Sequence, residues 1–158
     1  MPVALSVRTD GTVVVTGYIS SERYEAKGPI TFLVDTGSQR TILGPRDAEM
    51  LRFPTSRFPP YTGSPLMGIG GKGKPFDVGP CQIVLGDAEI VDTVPVLYFM
   101  PEKETRVRTR GGGLRRETRE RVFAIPSLLG VDILLRNQCT LQVDYGRSSG
   151  EIRRTQTS

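Results

Sequence analysis

The sequence predicts a mainly β domain, and three observations carry that reading. Short runs rich in Val, Ile, Thr, Tyr and Phe recur along the chain, which is how half-buried strands read. Gly (18) and Pro (12) punctuate those runs, as a turn-rich fold requires. The 158 residues, 37% apolar and 24% charged, are enough for one domain with a core of its own.

Val13 to Ile19 and Thr31 to Val34 read as strands separated by a polar turn region from Ser20 to Gly28. Gly44-Pro45 then opens Arg46 to Leu51 as a short helix, with Pro suited to the first turn and acidic residues favoured near the positive helix end. Leu66 to Gly73 holds four glycines in eight residues between Pro65 and Pro75, a composition for a hairpin tip that needs positive φ. Strands follow at Gln82 to Leu85 and Ile90 to Tyr98. Leu128 to Leu135 reads as a short buried helix, and Thr140 to Tyr145 with Glu151 to Arg153 as a closing hairpin. No internal repeat is visible.

Histidine is absent, which removes Ser-His and Cys-His nucleophile systems and every His-based metal site. Hydrolysis by this chain would have to use carboxylates, Lys or a carboxylate-bound metal. Cys81 and Cys139 are the only cysteines and stand far apart, which fits free thiols in a reducing compartment and points to the cytoplasm. The apolar stretches Val94 to Met100 and Ala124 to Leu135 are interrupted and too short for a membrane span. The N-terminus lacks a basic region followed by a sustained apolar core, so no secretory signal is expected.

The segment that carries chemistry is Phe32-Leu33-Val34-Asp35-Thr36-Gly37-Ser38, where an apolar strand ends in an acid, a hydroxyl and a glycine. A rigid sheet presents a reactive carboxylate best from such a strand end. Taken alone, the tripeptide is also an ordinary Asp-initiated turn. Asp35 to Leu43 resembles the active-site segment of retropepsin-like aspartic proteases, including Thr41 and the two apolar residues after it. The glycine hairpin Met67, Gly68, Ile69, Gly70, Gly71 to Gly73 resembles that family's flap, and Leu128-Leu129-Gly130 resembles its apolar-apolar-Gly motif with the helix behind it. Order and spacing agree, over about Val13 to Tyr145. Ser38 stands where retroviral members usually have Ala, and a long insertion follows Pro101, so the resemblance is to a cellular or bacterial member.

The resemblance implies a mainly β, closed, retropepsin-like acid protease barrel with one or two short helices, forming half of a C2 dimer. Asp35 would be the catalytic acid. Thr36, Gly37 and Ser38 would support its loop, Thr36 by a hydrogen bond across the axis, and Leu128, Leu129 and Gly130 would pack behind it. The flap would close over an extended peptide substrate, and no cofactor or metal would be needed. Among the other acids none starts a second Asp-Thr/Ser-Gly, and Asp92-Thr93-Val94 lacks the glycine. An isologous homodimer supplies the missing carboxylate from a second copy.

Pro101 to Arg121 holds seven Arg and one Lys against four Glu, a net +4 that equals the +4 of the whole chain. Without apolar periodicity it reads as a mobile insertion at 101–121 within a single domain, 1–158. Two other readings stay open. One is a peptide-binding or dimerisation module of the same fold that cuts poorly. The other is a nucleic-acid binder working through the Arg cluster, although that cluster lacks aromatic residues for base stacking. A phosphate cradle at Gly70 to Lys74 is disfavoured, since no Gly-Lys-Ser/Thr follows.

Overall fold

A computed structural model describes residues 1–66, 74–100, 106–110, 113–117 and 125–155, with 106–110 and 113–117 as backbone alone. The expected flap residues Met67 to Gly73 lie outside the described residues. The elements are β1 (Val3–Val7), β2 (Val13–Ser21), β3 (Ala26–Val34), β4 (Ile42–Leu43), α1 (Pro45–Met50), a 3-10 turn (Thr55–Arg57), β5 (Pro75–Leu85) and β6 (Ile90–Phe99), followed by β7 (Arg106–Arg110), β8 (Gly113–Glu117), β9 (Leu128–Leu129), α2 (Val131–Arg136), β10 (Cys139–Asp144) and β11 (Ser149–Arg154).

One sheet runs β10-β11-β1-β2-β3-β9-β4-β6-β5, and β5 returns to pair with β2. The six strands from β2 to β5 thereby close into a barrel, and β1, β11 and β10 extend from it. The closure works because β2 divides one edge between two partners: Val13 and Val14 pair with β1, while Gly17 to Ser20 pair with β5. Gly17 is needed at that seam, since a Cβ there would lie 2.6 Å from the Val84 carbonyl oxygen. The fold is thus mainly β with two short helices.

Alternation places the core. β3 buries Ala26, Gly28, Ile30 and Phe32 and turns Lys27, Pro29 and Thr31 outward, the period-2 pattern of a strand with one face covered. Phe32, Ile19, Ile83, Leu85 and Ile133 are fully buried around the same interior. Phe58 packs against Tyr24 and Tyr98 at ring-centroid distances of 5.2 and 5.3 Å, fixing the segment after α1 to β6. At the far end of α2, Arg136 makes a two-pronged ion pair with Asp92, and Asn137 donates to the same carboxylate. The hydrogen bond from Arg136 holds the Asp92 carboxyl below its ordinary range.

The structure departs from the sequence reading at four places. Val3–Val7 is a strand that the β-rich runs do not announce; it forms because Val3 and Leu5 are buried between β2 and β11. The first turn is shorter than Ser20 to Gly28, since strand pairing continues to Ser21 and resumes at Ala26. Leu128 and Leu129 are extended rather than helical, because β3 and β4 take up their backbone groups, and the helix starts only after Gly130. Within the segment read as an unstructured insertion, β7 and β8 pair as an antiparallel hairpin, with Gly111 and Gly112 between them. No described helix is long and apolar enough to cross a membrane.

Both cysteines are free. Cys81 is 1% exposed on β5, and burial pushes its thiol up to about 12. The Cys139 thiol, half-buried on β10, is also pushed up by burial. At neutral pH an alkylating reagent is therefore expected to label Cys139 first, and Cys81 only on global opening, as peptide mass spectrometry would show. Cys81 is protonated in the fold where the unfolded thiol, near ~8.5, ionises. Its contribution is present below that value and lost as pH rises toward about 12. The denaturation midpoint of Cys81→Ala should lack this part of the alkaline decline.

Candidate active site

Asp35 sits one residue beyond the end of β3, where the chain turns out of the barrel. Its N–H donates to the Leu129 carbonyl at 3.1 Å, and its own carbonyl accepts from Ser38 N–H at 3.1 Å, closing a four-residue turn. Asp35 Oδ1 accepts from Gly37 N–H at 3.0 Å, the local bond that favours Asp in such turns. Oδ2 has no hydrogen-bond partner among the described residues. The carboxylate is half-buried, and Thr36 and Gly37 beside it are exposed. Ser38 turns the other way: it is fully buried, and its hydroxyl donates to the Arg40 carbonyl at 2.8 Å.

The turn is held by a second loop 91 residues later in sequence. Asp132 accepts the Thr41 N–H on Oδ2 at 3.0 Å and the Thr41 hydroxyl on Oδ1 at 2.8 Å. Thr41 Oγ1 accepts in turn from Gly130 N–H at 3.2 Å, and Val131 N–H donates to the Ser38 carbonyl at 2.8 Å. A Cβ on Gly130 would lie 2.4 Å from the Arg40 carbonyl carbon, so only glycine lets the loops cross this closely. Leu128 and Leu129, 6% and 0% exposed, form β9 and pair with Leu33 and Val34, putting them directly behind the Asp35 turn.

The overall fold has a counterpart among solved structures. A crystal structure of a retropepsin-like aspartic protease from Rickettsia conorii superposes with a TM-score of 0.55 at 16% identity, over 96% of this chain and 90% of that one. The chain has the retropepsin-like fold. No protein-family model and no curated protein matches it.

Within the retropepsin-like fold, the residues singled out in the sequence fall into two groups. Asp35, Thr36, Gly37, Ser38, Leu128, Leu129 and Gly130 come together in the two crossing loops. Met67, Gly68, Ile69, Gly70 and Gly71 lie outside the described residues. Asp132 was legible only as one acid among several, yet it is the clamp on Thr41. A second clamp is also absent from the sequence reading: the buried Ser127 hydroxyl donates to Asp47 Oδ2 at 2.6 Å and accepts from Gly44 N–H at 2.9 Å. Both pairs join residues 80 or more apart, so no local pattern announces them.

Thr31 and Leu33 occupy the outward positions of β3 that lead to Asp35, and they line an open groove of about 570 Å³ with Ile125, Pro126 and Ser127. Arg8, Asp10, Arg46 and Asp47 give this groove a charged side, and Asp35 is not one of its lining residues. Among the described residues no group of three Cys, Asp or Glu side chains is placed to hold a metal ion.

Thr41→Val removes the hydroxyl from Asp132 and orphans the buried Gly130 N–H, and is expected to cost about 2–3 kcal/mol. Gly130→Ala should cost as much or more by overpacking the crossing. Thermal melts would report these as drops of roughly 4–12 °C, while Thr140→Val on the exposed side of β10 should move the midpoint by less than ~2 °C. Equal effects at the three positions would contradict the clamp.

Proposed function

We propose that the chain is one half of a homodimeric aspartic endopeptidase, with Asp35 from each copy forming the catalytic pair. The observation that carries this reading is the position of Asp35. It directly follows a barrel strand, its Oδ1 accepts from Gly37 N–H, its Oδ2 has no partner among the described residues, and two hydrogen-bonded loops fix the turn beneath it. Likeness of the whole fold to a protease agrees with this.

One chain supplies one such acid, and the reaction needs two. Brought together on a two-fold axis, two carboxylates a few ångströms apart cannot both ionise cheaply, so they share one proton. The ionised carboxylate takes a proton from a water molecule as that water attacks the scissile carbonyl carbon. The protonated one gives its proton to the carbonyl oxygen, producing a neutral tetrahedral diol. Collapse of the diol breaks the C–N bond as the protonated carboxyl gives its proton to the departing nitrogen and the ionised one takes a proton from a diol hydroxyl, which leaves a carboxylic acid and an amine and regenerates the shared-proton pair. Thr36, exposed in the single chain, is free to brace the partner loop. The glycine segment Met67 to Gly73 serves as the cover that excludes bulk water.

Asp35→Asn changes charge with little change of shape, so it should abolish peptide cleavage and leave the melting temperature within a few degrees. Specific activity should fall on dilution below the dimer dissociation constant, following mass action. Mixing mutant and wild type under exchanging conditions should poison activity, because a heterodimer holds one ionisable acid. Hydroxyl-bearing peptide mimics should inhibit, since the hydroxyl replaces the attacking water; chelators should not. Undiminished cleavage by Asp35→Asn, or full activity in a strictly monomeric sample, defeats the mechanism.

A further inference from the structure

The β7–β8 hairpin is unlike the rest of the molecule. Among the described residues its strands pair only with each other, and they add no strand to the barrel. Its register pairs Arg106 with Glu117, Arg108 with Arg115 and Arg110 with Gly113. Alternate positions of a strand belong to one face. One face of the ribbon therefore takes Arg106, Arg108, Arg110 and Arg115 against the single acid Glu117, and the other takes Val107, Thr109, Leu114 and Arg116. An isolated two-stranded ribbon is marginal in water, and register gives Arg108 and Arg115 facing positions on its two strands, so an anionic partner laid on this face complements its charge.

The tether limits where that partner acts. Five residues separate Arg106 from Met100, which follows β6, and seven separate Glu117 from Ile125, which lines the groove beside Leu33. Links of this length span at most about 20–30 Å. β6 also pairs with β4, and β9 with β3, directly behind the Asp35 turn. Whatever the ribbon holds is thus kept at high effective concentration near Asp35.

We propose that the Arg face of the ribbon is a docking site for an acidic, extended polypeptide segment, and that the substrates of this chain carry an Asp/Glu-rich stretch near the scissile bond. Resting on the aspartic endopeptidase reading, it names the substrate class of that site. Alternate positions along β7 recur every ~6.7 Å, and alternate side chains of an extended peptide recur at the same interval, so a run of acids at every second position meets Arg106, Arg108 and Arg110 in step. Arginine suits this task because its planar fork binds carboxylates in two-pronged fashion.

The test compares two peptides with the same scissile sequence, one flanked by alternating Glu and the other by Gln. Wild type should cut the acidic peptide about tenfold better in kcat/KM at low salt, and the advantage should vanish in ~0.5 M salt. In the Arg106→Gln, Arg108→Gln, Arg110→Gln, Arg115→Gln variant the two peptides should be cut equally, at the wild-type rate for the Gln peptide. The corresponding four-fold Lys variant should keep most of the preference, which separates charge from folding of the ribbon. No preference in wild type, or a preference that survives the Gln variant, overturns the proposal.

Binding of the labelled acidic peptide to Asp35→Asn protein, read by fluorescence anisotropy, tests the ribbon separately from the chemistry. If neither peptide is cut but acid-dependent binding is present and lost on adding the four Gln substitutions, the endopeptidase reading fails and the docking site stands. Absence of binding overturns the docking site. An RNA oligonucleotide of equal charge that binds more tightly than the acidic peptide overturns it in favour of a nucleic-acid ligand.

Discussion

The contact between Asp132 and Thr41 organises the functional end of the molecule. A single carboxylate takes both the N–H and the hydroxyl of Thr41 and also receives Ile133 N–H on Oδ1 at 2.9 Å, so it joins the start of α2 to the strand after the Asp35 turn. Neutral hydrogen bonds contribute about 1 kcal/mol each, whereas bonds to a charged group contribute roughly 1.5–3 kcal/mol and lose more when one partner is orphaned. The clamp sits against the buried edge of the barrel, where Ser38 and Thr41 are fully buried, so exchange with water offers those groups no substitute. Remove it, and the crossing at Gly130 and the position of Asp35 lose their common support.

That crossing also explains why the barrel is built from such short pieces at this end. β4 and β9 have two residues each, too few to form a stable strand pair alone. Each has a longer strand on one side, β3 beside β9 and β6 beside β4, and the two pair with each other between them. Parallel pairing of β9 with β3 and of β4 with β6 puts both connecting turns at one end of the barrel. The Asp35 turn and the glycine crossing emerge there together, which is the geometric reason a carboxylate can be presented rigidly from a loop.

The molecule combines two regimes of electrostatics. Around the loops, carboxylates are matched with specific donors: Asp132 with Thr41, Asp47 with Ser127, Asp92 with Arg136 and Asn137. The insertion has a net charge of +4 in its sequence, and hairpin register assigns Arg106, Arg108, Arg110 and Arg115 to one face. A net charge of one sign acts through space on whatever approaches.

Much of the fold was legible in the residues. β-branched runs marked β2, β3, β5 and β6, Gly44-Pro45 marked α1, and the Asp-Thr-Gly segment together with Leu128-Leu129-Gly130 marked both crossing loops, because strand periodicity and turn chemistry are local properties of consecutive residues. Composition excluded histidine-based chemistry outright. What only the tertiary structure decided is non-local. Leu128-Leu129 is extended because two strands capture it, although its composition suits a helix equally well. Val3–Val7 is a strand because β2 and β11 flank it. Asp132 and Ser127 became structural clamps only when folding brought them to Thr41 and Asp47 across 91 and 80 residues, a pairing that the chain order leaves open and the close approach at Gly130 enforces.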